Sequence, residues 1–372
     1  MTQYVVPGTR PVRDRSESQG VNRWLSGILM LLVFVILSIP AIVRAQDSEE
    51  PQVEPIDEEW YERWLASLID EARERGISDS LIRDVLEPVR PIPRVISNDR
   101  SQAEFVETLE EYLERRVTDW RIDTGRQRLA EHAGLLQRIT REYGVPGRYI
   151  VAIWGIETNY GNFTGGTEVI RALVTLAFDP RRADYFRSQL FAALQILEEG
   201  HISHEQMVGS WAGAMGQSQF MPGSFLDHAV DFDGDGRRDI WQSEEDVLAS
   251  IANYLDQRGW QAGQVWGRPV QLPSGLDLQD ERWQQSDYQG SCSVLRRHSV
   301  RLPLSEWQEA GVRREDGSDL PEADLRASVI QPDGPDGQAF LVYNNFRTIL
   351  GYNCANSYAL AVSLLADQLV GR

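Results

Sequence analysis

The 372-residue chain contains no lysine, so all 37 of its basic side chains are arginine, set against 56 acidic ones for a net charge of −19. The arginines are scattered. An acidic chain needs a local basic stripe to hold a phosphate backbone, and without one a nucleic-acid partner is excluded. A nucleotide-phosphate loop, which needs a lysine, is absent too. Cysteine is nearly as scarce, with only Cys292 and Cys354. Neither stands where a lipid-modified N-terminus would require it. There is no internal repeat and no serine-nucleophile motif. His201, His204 and Glu205 lie close together, but their spacing fits neither common helical zinc pattern, and they read as a polar surface turn after Gly200.

At the N-terminus Arg10, Arg13, Arg15 and Arg23 precede an apolar run from Trp24 through Ile42, followed by Val43-Arg44-Ala45 and an acidic stretch. That order is an export signal. Residues 1–22 are then a basic cytoplasmic region, 23–45 a signal peptide or signal anchor, and 46–56 an acidic linker containing Pro51 and Pro55. Cleavage after Ala45 fits the small-residue rule, whereas residues 24–42 left uncut are long enough to span a bilayer. A buried core helix is a third reading, opposed because nothing amphipathic interrupts the run. Export places the rest of the chain in the periplasm, soluble or tethered to the inner membrane. In that oxidising compartment Cys292 and Cys354 are expected to pair, two isolated buried thiols being the alternative.

Trp60, Trp64, Leu65, Leu68, Ile69, Ile77, Leu81 and Val85 recur at helical spacing, as two helices broken at Gly76. Pro88, Pro91 and Pro93 forbid helix for a stretch, and the spacing returns over 103–143. Gly144-Val145-Pro146-Gly147 opens another helix, apolar on nearly every side and therefore buried, with Glu157 at its end. Further helices are expected over 182–199 and 246–257. From Val265 onward the texture changes to short segments (265–272, 293–300, 339–342) bounded by turn residues, as in a small β lobe. A last helix covers 357–369. The expected class is α+β, mainly α: a helical region at 57–145, a core at 146–262, a small mixed or β lobe at 263–356 and a closing helix at 357–372.

Glu157 stands between this apolar helix and a polar, glycine-containing turn. Partial desolvation there raises a carboxyl pKa and keeps a proton ready for general acid catalysis, although a solvated helix end is the commoner fate of such a residue. The segment from Gly209 to Pro222 mixes small residues with aromatic, Met and Gln side chains. Such a mixture suits close approach of a sugar, and equally suits tight helix packing.

Gly155-Ile156-Glu157-Thr158-Asn159-Tyr160-Gly161, Pro180-Arg181-Arg182-Ala183-Asp184-Tyr185-Phe186 and Gly213-Ala214-Met215-Gly216-Gln217-Ser218-Gln219-Phe220-Met221-Pro222 resemble, in this order, the lytic murein transglycosylase B family. Asp231-Phe232-Asp233-Gly234-Asp235-Gly236 and Ser250-Ile251-Ala252-Asn253-Tyr254-Leu255 extend the resemblance, which runs from about Glu104 to Leu369. It implies a lysozyme-like core and a non-hydrolytic cut of the β-1,4 bond between N-acetylmuramic acid and N-acetylglucosamine in peptidoglycan. The product is a 1,6-anhydromuramoyl end, with Glu157 as the single acid and base. It also implies that Ser210, Gln219 and Phe220 line the cleft, with Tyr112, Arg182, Tyr254, Tyr352, Asn353 and Tyr358 as neighbours. Arg181 and Arg182 are expected to make the cleft less negative than the whole chain.

Asp231, Asp233, Asp235, Gly236 and Asp239 match the first part of an EF-hand loop, but Gln242 stands where the closing glutamate belongs. A longer loop closed by Asp246, or by Glu245, is needed, and the resemblance allows it with the Arg237 carbonyl as a further ligand. The expectation is structural calcium, with sodium or an empty acidic turn as alternatives and no cofactor for catalysis. The expected partners are glycan strands and other cell-wall enzymes. A hydrolytic muramidase and a non-catalytic, calcium-stabilised peptidoglycan-binding scaffold stand as competing functions.

Overall fold

The computed structural model describes residues 56–101, 107–285 and 288–371. The basic N-region, the signal or anchor and linker residues 46–55 lie outside the described residues. The first helix, Glu58–Glu74, starts where the Asp57 carboxylate accepts the Trp60 N–H at 2.9 Å. Two glutamates in its first turn suit the positive end of the helix. It ends before Gly76, as expected, at a φ of 84° that suits glycine. The proline stretch is shorter than expected, because Pro93 opens the helix Pro93–Ser101. A proline at the first helical position brings the required φ and lacks only an N–H that would be unpaired anyway.

The helix Gly147–Thr158 is buried from Tyr149 through Ile156, as its apolar composition requires. Helices Asp119–Glu131, Ala133–Tyr143, Glu244–Gln257 and Asn356–Gln368 pack around it. Gly155 leaves room for the Tyr160 ring, since a Cβ there would lie 2.6 Å from it. The Tyr160 hydroxyl donates to the Arg121 carbonyl at 2.6 Å, and the Arg121 Nε donates to the Gly155 carbonyl at 3.0 Å. An apolar pair, Val169–Phe178 and Ala183–Glu198, packs together alongside.

The smaller lobe is an antiparallel sheet in the order Leu302–Pro303, Arg326–Ile330, Ala339–Val342, Gly267–Gln271, Arg313–Arg314. Val329 faces Leu341 and Val270 faces Ala339 in its register. Its core around Trp307, Val329 and Leu341 is separate from the main core, which runs from Tyr61 to Leu369. Two expectations are corrected here. Residues 293–300 are not a strand: Ser293–Arg297 is a 3-10 helix whose backbone bonds are met locally. Asn344–Tyr352, inside the expected β region, is a helix. Its Asn345 is buried and bonds the backbone of Gln261 and Gln264.

The expected disulfide is present, joining Cys292 to Cys354 across 62 residues. It ties the 3-10 turn to the bend between Asn344–Tyr352 and Asn356–Gln368. Among the described residues no single helix is long and apolar enough to cross a membrane. Closing a loop of this length stabilises by up to about 4 kcal/mol through the unfolded chain. Cys292→Ser should therefore lower the denaturant midpoint and raise the slope, since the unfolded chain expands; an unchanged midpoint would deny the bond that role.

Candidate active site

The turn after the buried helix is left-handed at Asn159, Tyr160 and Gly161, with φ of 51°, 61° and 81°. Two hydrogen bonds centre on Thr158: its hydroxyl donates to the Gln217 carbonyl at 2.8 Å and accepts the Gly161 N–H at 3.1 Å. Arg121 grips the Asn159 side chain. Gln217 completes the clamp, accepting the Trp154 indole N–H at 2.9 Å and donating to the Trp241 carbonyl at 2.9 Å. Gly161 is required here because any Cβ would collide with the Gln217 amide. The glycine-rich segment is thus bound to the end of the buried helix, and Glu157 lies where they meet.

Glu157 opens onto a cleft of about 660 Å³ that Ser210 and Gln219 also line. The Ser210 hydroxyl accepts the N–H groups of Ala212 and Ala214, leaving its own proton for a ligand. Gln219 holds a φ of 51°, and its Nε2 donates to the carbonyls of Thr164 and Gly216. Its Oε1 remains as an acceptor among the described residues. A non-glycine backbone in this region is strained, a cost found at sites that must aim a side chain.

Behind the acid stands an aromatic wall. The Tyr358 hydroxyl donates to Glu157 Oε1 at 2.6 Å, and its ring stacks on Tyr352 at 6.4 Å. Tyr352 donates to the Ser218 carbonyl and contacts Tyr254 and buried Phe220. Tyr254 donates to the Gly351 carbonyl. Tyr112 lies under the guanidiniums of Arg115 and Arg116. Arg116 donates to the Ile156 carbonyl at 3.3 Å.

Burial pushes the Glu157 carboxyl up to about 7, outweighing the Tyr358 hydrogen bond and the Arg116 charge, which both pull it down. Burial, then the nearby Glu157 charge, holds the Tyr352 and Tyr358 hydroxyls well above the usual phenol range, so both remain donors at neutral pH.

Arg182 and Arg181 both grip buried Asp99, and Asn353 is exposed on the bend beside Cys354. The basic residues that line the cleft are Arg94 and Arg171. Sequence reasoning missed these, together with Arg116, Glu168, Trp211 and Phe163. Arg171 had a signal, as the only charge in the apolar helix Val169–Phe178. Phe163 is 71% exposed at the cleft edge, an aromatic face open to a ligand.

A family model described as the transglycosylase SLT domain matches residues 60–367. The chain belongs to this family. Among transglycosylase SLT relatives, SltB3 of Pseudomonas aeruginosa is 44% identical, with 84% of this chain covering 80% of that one. Its TM-scores are 0.76 in complex with NAG-anhNAM-pentapeptide and 0.77 with NAG-NAM-pentapeptide. The membrane-bound lytic murein transglycosylase B of Escherichia coli (strain K12) is 32% identical over 69% of this chain. The chain spans 66% of that curated relative's length. Escherichia coli Slt35, solved with calcium, is 28% identical at a TM-score of 0.69, covering 82% of this chain and 92% of that one.

Away from the cleft, carboxylate oxygens of Asp231, Asp233 and Asp246 come within 4.8 Å of one another. Asp246 is fully buried and accepts the N–H groups of Phe232, Asp233 and Asp239. Asp231 accepts those of Gly234, Asp235 and Gly236. The Asp235 carboxylate turns instead to Arg237 at 3.0 Å, Asp239 caps the N–H groups of Trp241 and Gln242, and Glu245 lies 3.9 Å from Arg138. His201 bonds Glu199 and Arg238, in keeping with its reading as a surface turn.

A carboxyl pKa raised from the ordinary 4.5 to about 7 favours the protonated fold. Ionised Glu157 therefore costs stability as pH rises from 4.5 through 7, and the cost is full above 7. Glu157→Gln should melt above the wild type at pH 8 and close to it at pH 4. A melting difference independent of pH would contradict the raised pKa.

Proposed function

We propose that the protein is an exported lytic transglycosylase that cuts the β-1,4 bond between N-acetylmuramic acid and N-acetylglucosamine in peptidoglycan. The observation that carries this reading is Glu157, a cleft carboxyl protonated near neutral pH and held by Tyr358. Glu157 donates its proton to the glycosidic oxygen as the bond from the muramic acid C1 breaks. The resulting carboxylate then takes the proton from the same sugar's C6 hydroxyl as that oxygen bonds to C1. The proton moves in sum from O6 to the leaving O4, no water is consumed, and a 1,6-anhydro ring closes. One group serves as acid and then base, so its pKa belongs near the working pH. Burial makes the carboxyl a willing donor, while the Tyr358 and Arg116 contacts stabilise the carboxylate that follows. Ser210 and Gln219 offer hydrogen bonds to the sugars, and Phe163 offers a face for a ring to stack on.

Glu168 favours a second reading, because it places another carboxylate in the cleft lining. Two carboxylates can activate water in a hydrolase. Muropeptides released from purified peptidoglycan should be one water lighter than reducing ones by mass spectrometry. Glu157→Gln should release none, a loss of at least about a hundredfold, and Glu168→Gln should still yield anhydro ends. Reducing ends that disappear with Glu168→Gln would establish the hydrolase.

The same reading puts structural calcium in the Asp231–Asp246 loop. Hard carboxylate oxygens with a buried aspartate on the adjoining helix suit such an ion. Asp231, Asp233 and Asp246 would hold it, with the Asp235 carboxylate released from Arg237 and the Arg237 carbonyl as further ligands. The ion would offset the mutual repulsion of these carboxylates and has no place in the cleavage itself. Calcium at a hundred times its Kd should stabilise the fold by about 2.7 kcal/mol, seen as a raised melting temperature that a chelator reverses. Asp246→Asn should lose that response; equal shifts in both proteins would remove the site from the loop.

A further inference from the structure

The final helix, Asn356–Gln368, begins without a side-chain cap of its own. Its start is held from outside, by two ties to one segment of the smaller lobe. Cys354 is bonded to Cys292, and the His298 Nε2 lies 2.8 Å from the Asn356 Oδ1. An amide oxygen only accepts, so His298 donates from Nε2. Burial pushes that imidazole down to about 4, which keeps it neutral near neutral pH. Cys292 and His298 bracket the 3-10 turn Ser293–Arg297, and the residue after the turn is fixed to the sheet. The Ser299 N–H donates to the Val329 carbonyl at 3.2 Å, the Ser299 Oγ accepts the Val329 N–H at 2.7 Å, and the Ser328 hydroxyl donates to the Ser299 carbonyl at 2.8 Å.

Two tyrosines of the aromatic wall hang from this junction. Tyr358 lies in the first turn of the final helix and bonds Glu157. Tyr352 ends the helix before the bend, stacks on Tyr358 and donates to the Ser218 carbonyl. Cys354 stands between them in the chain. Cys354 is exposed and Cys292 half-buried, whereas Tyr358 is buried against the acid. The disulfide is thus open to a thiol at the surface, while the hydroxyl it helps to aim is enclosed. A hydrogen bond weakens steeply with misdirection, and a misplacement of about 1 Å near a reacting group costs on the order of a hundredfold in rate.

We propose that Cys292–Cys354 is a redox-controlled positioning element for the acid: oxidised, it fixes the bend that aims Tyr358 at Glu157, and reduction slackens that aim without unfolding the protein. The reductant is a dithiol. The S–S bond breaks, the reductant's two sulfurs join in a disulfide, and their two protons pass to the protein thiolates. The His298 bond to Asn356 remains and keeps the helix docked. The Tyr358 hydrogen bond pulls the Glu157 carboxyl down, so a slackened bond lets it rise above about 7. Glu157 then keeps its proton to higher pH, and the carboxylate it forms is less well held. The consequence for rate rests on the transglycosylase reading; the consequence for the Glu157 proton does not.

The test titrates Glu157 by carboxyl-carbon NMR in the oxidised protein and again after dithiothreitol, with Glu157→Gln identifying the signal. Reduction should move the titration upward. On peptidoglycan, kcat should fall about tenfold with KM nearly unchanged, and the alkaline limb of the pH profile should move up. Cys292→Ala/Cys354→Ala should match the reduced protein and ignore dithiothreitol. In Tyr358→Phe, reduction should move neither the titration nor the pH profile. The proposal is overturned if reduction leaves the titration in place, if the shift persists in Tyr358→Phe, or if near-UV circular dichroism shows that the reduced protein has unfolded. Oxidised wild type that leaves reducing ends, or cuts nothing, would refute the transglycosylase reading, and the titration would still decide the role of the disulfide.

Discussion

Keeping a glutamate protonated near neutral pH requires taking it from water without giving it a full ion pair, and the surroundings of Glu157 follow from that constraint. The helix that carries it has no polar face, so it must be enclosed by other helices. Between its part-exposed first residues, Gly147 and Arg148, and its last turn, where Glu157 meets the cleft, every residue is buried. Arg116 is near enough to pull the pKa down, yet its hydrogen bond goes to the Ile156 carbonyl. The result is a compromise between a desolvation that stores the proton and a weaker set of contacts that later accepts the charge.

That compromise depends on backbone held in conformations the chain would not otherwise adopt. Three successive left-handed residues follow the acid, and Gln219 facing it is left-handed as well. Each is over-determined by its neighbours. Gln217 bonds Trp154 and Trp241 at once, and Arg121 binds both the helix end and Asn159. The strain lies at the two segments that border the cleft, with the rigid core beneath bearing its cost.

The apolar helix, its breaker Gly144, the acid at its end and the closing helix were all legible in the sequence, because burial on every side leaves a clear compositional mark. The disulfide was legible from compartment and count. What failed to show was anything defined by tertiary contact. The helix Asn344–Tyr352 depends on Asn345 bonding the distant backbone of Gln261 and Gln264, and Pro93 reads as an interruption although it begins a helix. The pairing of Arg182 with buried Asp99, eighty-three residues away, left no mark in the sequence. Arg94 and Arg171 belong to no motif at all, and only the fold brings them beside Glu157.

The hydroxyl that holds the acid comes from Tyr358, 201 residues after Glu157 and in the final helix. A ribosome therefore delivers the acid long before its partner. Until Tyr358 is added, Glu157 lacks the hydroxyl that bonds its Oε1. A product cut short before Tyr358 would keep every cleft residue up to Gln219 and still lack that hydroxyl. The proposed catalytic site is thus assembled in two instalments, and only a polypeptide synthesised past Tyr358 holds both.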